Sequence, residues 1–112
     1  MELIDPAGYY DIPKEERDTW GCGPGGFGDL LVPDTVYGLC VTEACRRHDF
    51  RYRKRRVKSE KTRLLDDKEL LANMQIIVHN HTKNWFLRRL RFTRCRTMYW
   101  FVRKFGKSAY YG

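Results

Sequence analysis

The stretch Cys45-Arg46-Arg47-His48-Asp49-Phe50-Arg51-Tyr52 decides how this chain is read. On a helix of 3.6 residues per turn, Cys45, His48 and Tyr52 share one face. Asp49 sits about 100° round from His48, in line with Cys45 one turn earlier. Such a helix presents a base, His48, to one neighbour and an anion, Asp49, to another, with a thiol beside both. Upstream, Gly21-Cys22-Gly23-Pro24-Gly25-Gly26 is a second unusual stretch, and the two read as halves of one site.

Thr42 is a plausible N-cap and Glu43 suits a first turn, so a helix is expected over 42–57. It ends in Arg53-Lys54-Arg55-Arg56, and cations favour a helix C-terminus. Residues 21–28 hold five glycines and a proline, which excludes helix and regular strand. Residues 29–41 are apolar but broken by Pro33 and Gly38, and read as a packing loop. Residues 1–20 read as an N-terminal arm, with a short helical turn from Lys14 to Trp20.

Ser59 can cap a second helix over about 60–79. Its apolar positions Leu64, Leu71, Met74 and Val78 leave one gap in the stripe, and Asp67 fills it. A carboxylate on a buried stripe needs a partner. Asp66 falls off that stripe. An antiparallel partner for helix 42–57 would set Asp67 near His48. A third helix, over 82–105, interleaves Trp85, Phe86, Trp100, Phe101 and Phe105 with Arg and Lys. It has too many apolar residues for one stripe, so it packs on two sides or turns some aromatics to a membrane interface. The tail 106–112 reads as frayed.

The chain has 112 residues, enough for one domain, and its 42% apolar content argues for a folded one. The net charge of +8 implies an anionic partner: membrane lipid, nucleic acid or a phosphate-bearing substrate. No apolar run is long enough to cross a membrane, and no secretory signal is visible at the start. The four cysteines allow three pairings. His79 and His81 lack the carboxylate or thiol company of a metal site.

A neutral histidine is a natural base for water, and works best when a carboxylate holds its second nitrogen, as Asp67 could. Asp49 can hold a hard cation, and carbonyls of a glycine-rich loop can complete an oxygen cage of the kind calcium prefers. Together these make a water-activating hydrolase site.

The order and spacing of Gly21–Gly26, Cys45–Tyr52 and Asp67–Met74 resemble the phospholipase A2 family, in its small secreted-type bacterial, fungal and viral members. The resemblance spans about residues 20–78. It implies a mainly α single domain of two antiparallel, disulfide-linked helices, a Gly-rich calcium loop and a basic aromatic C-terminal helix. It implies a calcium-dependent hydrolase cleaving the sn-2 ester of glycerophospholipids, with His48 as base, Asp67 orienting it and Tyr52 supporting both. Ca²⁺ would be held by Asp49 and the carbonyls of Gly21, Gly23 and Gly25, and the Gly23 amide would help form the oxyanion hole. Cys22–Cys45 matches a family disulfide; Cys40 and Cys95 either form a second bridge or stay reduced. The chain departs from the family in having Gly21 at a position that usually carries an aromatic residue.

The implied partner is a phospholipid membrane surface, anionic to match the charge, and the implied setting is secreted or virion-associated. The alternatives are a non-catalytic lipid- or protein-binding module of the same fold and, further off, a basic nucleic-acid-binding protein. No nucleic-acid-binding motif is present, and anionic phospholipid accounts for the same charge. The oligomeric state is left open.

Overall fold

The computed structural model describes residues 2–18 and 35–111. Those residues form five α-helices and one two-stranded sheet. A 3₁₀ turn (Tyr9–Asp11) leads to α1 (Lys14–Arg17); β1 (Thr35–Val36) and β2 (Leu39–Cys40) make a hairpin; α2 (Thr42–Lys54), α3 (Glu60–His81), α4 (Trp85–Phe105) and α5 (Lys107–Tyr111) follow.

The hairpin lies inside the stretch expected to be a loop. Val36 pairs with Leu39 around Tyr37 and Gly38, both of which have positive φ, 46° and 81°. Two consecutive left-handed residues are what a two-residue hairpin turn requires, and Gly38 reaches that region without a Cβ penalty. Thr42 is the first residue of α2, not its cap, and the helix leaves its regular path at Arg55, which has extended backbone.

Ser59 caps α3: its Oγ accepts the Thr62 N–H at 3.2 Å, while the Thr62 hydroxyl accepts the Ser59 N–H at 2.9 Å. Asn84 caps α4, its Oδ1 accepting the Leu87 N–H at 3.0 Å. α3 is antiparallel to both neighbours. The Glu43 end of α2 shares a pocket with Ile77 and Asn80, and the Lys54 end shares one with Thr62. On the other side, Arg103 near the end of α4 reaches Asp67, and Phe92 lies by Ala72 and Ile76.

The core is the seam between these helices. Ala44, Leu70, Met74, Val78, Cys95 and Val102 are buried there with Tyr52 and Tyr110. The N-terminal arm closes one flank. The Asn73 side-chain amide donates to the Ile4 carbonyl at 3.1 Å, and its oxygen accepts the Ile4 N–H at 2.7 Å. Arg47, buried on α2, donates to Asp5, Glu43 and the Tyr10 hydroxyl and lies over the Tyr9 ring.

The expected fold class is corrected at the link between its two antiparallel helices. α3 contains no cysteine, so no disulfide links the two antiparallel helices; packing and ion pairs hold them. No two of the described cysteines are bridged to each other, and Cys40 and Cys95 are free thiols, so the second bridge is not formed. The expected calcium loop, 21–28, lies outside the described residues, and with it Gly21, Cys22, Gly23 and Gly25.

Candidate functional site

α2 and α3 bring three of the predicted site residues together. His48 Nε2 lies 2.7 Å from Asp67 Oδ1, and neither side chain has any exposed surface. The Tyr52 hydroxyl donates to the same oxygen at 2.5 Å, and the Tyr52 ring lies 4.2 Å from the imidazole. His48 and Tyr52 meet one acid because they stand one helical turn apart on α2. The antiparallel path of α3 carries Asp67 across that turn.

Two groups that the sequence reading did not include complete the network. Arg103, from α4, donates to Asp67 Oδ2 at 2.7 Å. Arg63, one turn before Asp67 on α3, has a guanidinium nitrogen 3.7 Å from the same oxygen and donates to the Arg103 carbonyl. The spacing of Arg63 and Asp67 was a legible signal; Arg103 arrives through the fold alone. Burial by itself pushes the Asp67 carboxyl up. The hydrogen bond and charge of His48, with Tyr52 and Arg103, outweigh that and hold it below the usual carboxylate range. Burial, the adjacent Asp67 charge and the hydrogen bond to it raise the Tyr52 phenol.

Asp66 is buried as well, contrary to the reading that placed it off the stripe. It takes a two-pronged contact from Arg55, at 2.7 and 3.2 Å. The buried side of α3 therefore carries Arg63, Asp66, Asp67 and Asn73 among Leu70, Met74, Ile77 and Val78.

Asp49 is apart from this network. Its Oδ1 accepts from Arg53 Nε at 3.1 Å, and its Oδ2 is buried without a hydrogen-bond partner among the described residues. Burial pushes its carboxyl up to about 6, against the pull of Arg53.

Among the described residues the calcium centre is not found. Calcium takes roughly six to eight oxygen ligands, yet among the described residues no group of three or more His, Cys, Asp or Glu could hold a metal ion. The Asp49 carboxylate answers Arg53, and that of Asp67 answers His48, Tyr52 and Arg103. Ca²⁺ as a cofactor is withdrawn on this finding. With it go the calcium-dependent hydrolysis of a phospholipid sn-2 ester, the assignment as an enzyme of lipid degradation, and the placing of the chain in the phospholipase A2 family. What the described residues form is a buried ion-pair and hydrogen-bond network in which His48 has no solvent-facing surface. No family model matches the chain, and comparison with curated proteins and with solved structures finds no match.

Proposed function

We propose that the protein binds an anionic phospholipid membrane surface, with α4 lying in the interface. The observation that carries this reading is the outer face of α4. Phe86, Arg89, Thr93, Arg96, Trp100 and Lys104 follow one another at three- and four-residue steps, and all six are exposed. Trp100 is 67% exposed and Phe86 59%. Large aromatic side chains left in water beside cations match the boundary between lipid headgroups and acyl chains, where one side of the helix is wet and the other apolar.

The charge supports an anionic surface in particular. From Leu70 to Gly112 the chain has nine Lys or Arg and no Asp or Glu. Arg88 and Arg91 are tied to Thr82, and Arg103 to Asp67. Arg89, Arg96 and Lys104 have no acidic partner among the described residues. Among the described residues no helix is long and apolar enough to cross a membrane, so the reading is of a helix on the surface.

The test is co-sedimentation with vesicles of pure phosphatidylcholine and of phosphatidylcholine mixed with phosphatidylglycerol. Binding to the mixed vesicles that weakens in Trp100→Ala and in the double variant Arg89→Gln/Arg96→Gln supports the reading. Binding to neither vesicle, or tight salt-sensitive binding to duplex DNA without any to vesicles, overturns it.

A further inference from the structure

A second cationic feature lies where α2 ends. Phe50, Arg51, Lys54, Arg55, Arg56 and Thr62 are among the residues that line a cavity of about 410 Å³, with Ala7 of the N-terminal arm on its rim. Three segments build it: the last turns of α2, the bend into α3, and the arm held by Asn73 and Arg47. The carbonyl end of α2 attracts cations, which accounts for their gathering there.

The four positive side chains are not equivalent. Arg51 is paired with Glu69 at 3.2 Å, and Arg55 with buried Asp66 at 2.7 Å. Those two are neutralised and fixed in place. Lys54 and Arg56 have no ion pair among the described residues, so the cavity holds two positive charges without compensation. Phe50 and Val57 give it an apolar wall.

We infer that this cavity is a binding site for a phosphomonoester, with Lys54 and Arg56 as the groups that take its charge. A phosphomonoester carries about 1.5 to 2 negative charges near neutral pH and offers three strong acceptor oxygens, which matches two free cations and their donors. The apolar wall suits the organic part of the ester. The phosphate could be borne by a soluble molecule or by a lipid headgroup, and the recognition chemistry is the same for both. The site does not use the outer face of α4 and stands independently of the membrane reading.

The experiment uses the full chain and two probes. O-phosphoserine represents the soluble source. Vesicles of phosphatidylcholine with phosphatidic acid, compared with phosphatidylglycerol at equal charge, represent the lipid source. The variant Lys54→Gln/Arg56→Gln removes no ion pair among the described residues and leaves Arg51–Glu69 and Arg55–Asp66 in place, so its melting curve serves as the folding control. Saturable one-to-one binding of phosphoserine that weakens about 10- to 100-fold in this variant identifies a soluble ligand, as expected for losing two charge-assisted contacts. No phosphoserine binding, but a preference for phosphatidic acid that disappears in the variant, identifies a lipid headgroup. In both cases Arg89→Gln/Arg96→Gln retains the effect. If phosphoserine does not bind and the two anionic lipids are bound alike, or if Lys54→Gln/Arg56→Gln changes nothing, the inference is wrong even where vesicle binding through α4 holds.

Discussion

Asp67 is the point at which α2, α3 and α4 are tied together: its Oδ1 lies 2.7 Å from His48 Nε2, and its Oδ2 accepts from Arg103 at 2.7 Å. Removing one member of a buried ion pair leaves the others desolvated and unmatched. Asp67→Asn is therefore expected to cost about 3 to 5 kcal/mol of stability. Asp66→Asn should cost less, because Arg55 keeps access to water. Urea unfolding followed by circular dichroism measures both; equal losses would show that Asp67 has no special place.

Asp49 and Asp67 respond to pH in opposite senses. The folded-state value of Asp49, about 6, lies above its usual 3.8. Between those values the folded chain keeps a proton that the unfolded chain has lost, so this group makes stability fall as pH rises, by on the order of 2–3 kcal/mol once complete. Asp67 is held below the usual range, so its contribution is present above that range and is lost as pH falls through its folded value. Asp49→Asn should raise the melting temperature at pH 7 and flatten the slope between pH 4 and 6; Asp67→Asn should remove the acid limb. Melting curves from about pH 3 to 8 test both signs.

Gly106 joins α4 to α5. A Cβ there would lie 2.5 Å from the Val102 carbonyl and 3.2 Å from the Tyr52 hydroxyl. The first neighbour is backbone and cannot swing aside. Gly106→Ala should lower stability by about 1–3 kcal/mol, as overpacking does. An unchanged melting temperature would mean that the α4–α5 junction yields without cost.

The two free thiols among the described residues differ in reactivity. Cys40 is exposed, whereas burial pushes the Cys95 thiol up to about 12. The thiolate is the reactive form, so iodoacetamide at pH 8 should label Cys40 in the native protein and leave Cys95 until the chain unfolds. Peptide mapping after a short exposure distinguishes this from equal labelling of the two.

Membrane association through α4 should combine charge with aromatic burial. Exposed charges are screened over about 8–10 Å at 0.1–0.15 M salt, so binding to anionic vesicles should weaken steadily with added sodium chloride. Trp100→Ala should reduce binding by a factor that salt does not abolish. A blue shift of tryptophan emission on vesicle addition, diminished in Trp100→Phe, reports the same insertion.

Much of this arrangement was legible in residue spacing. The gap at Asp67 on the α3 stripe pointed to a buried acid with a partner on α2, and His48 and Tyr52 fill that role. The Ser59 cap could be read from its chemistry. Asp66 is buried off the apolar stripe because this seam admits carboxylates that find guanidinium groups, whereas stripe spacing assumes an apolar interior. Arg103 stands 36 residues from Asp67, and no local pattern connects the two. The hairpin leaves no sequence pattern, because its strands are only two residues long and too short to show alternation. The calcium reading joined His48–Asp49 to a glycine-rich stretch through ligand chemistry and a family resemblance, and it passed over Arg53, which stands four residues on and takes the Asp49 carboxylate.

The mixed stripe of α3 also limits how the helices can be misassembled. An all-apolar stripe would let α3 slide along its neighbours with little penalty. Here a slip of one turn, about 5.4 Å, would carry Asp67 away from His48, Tyr52 and Arg103 together and set apolar side chains against those groups. Asn73 would release Ile4 in the same movement. The interior thus works as a vernier: hydrophobic burial draws the three helices together, and the polar positions admit a single alignment of their scales.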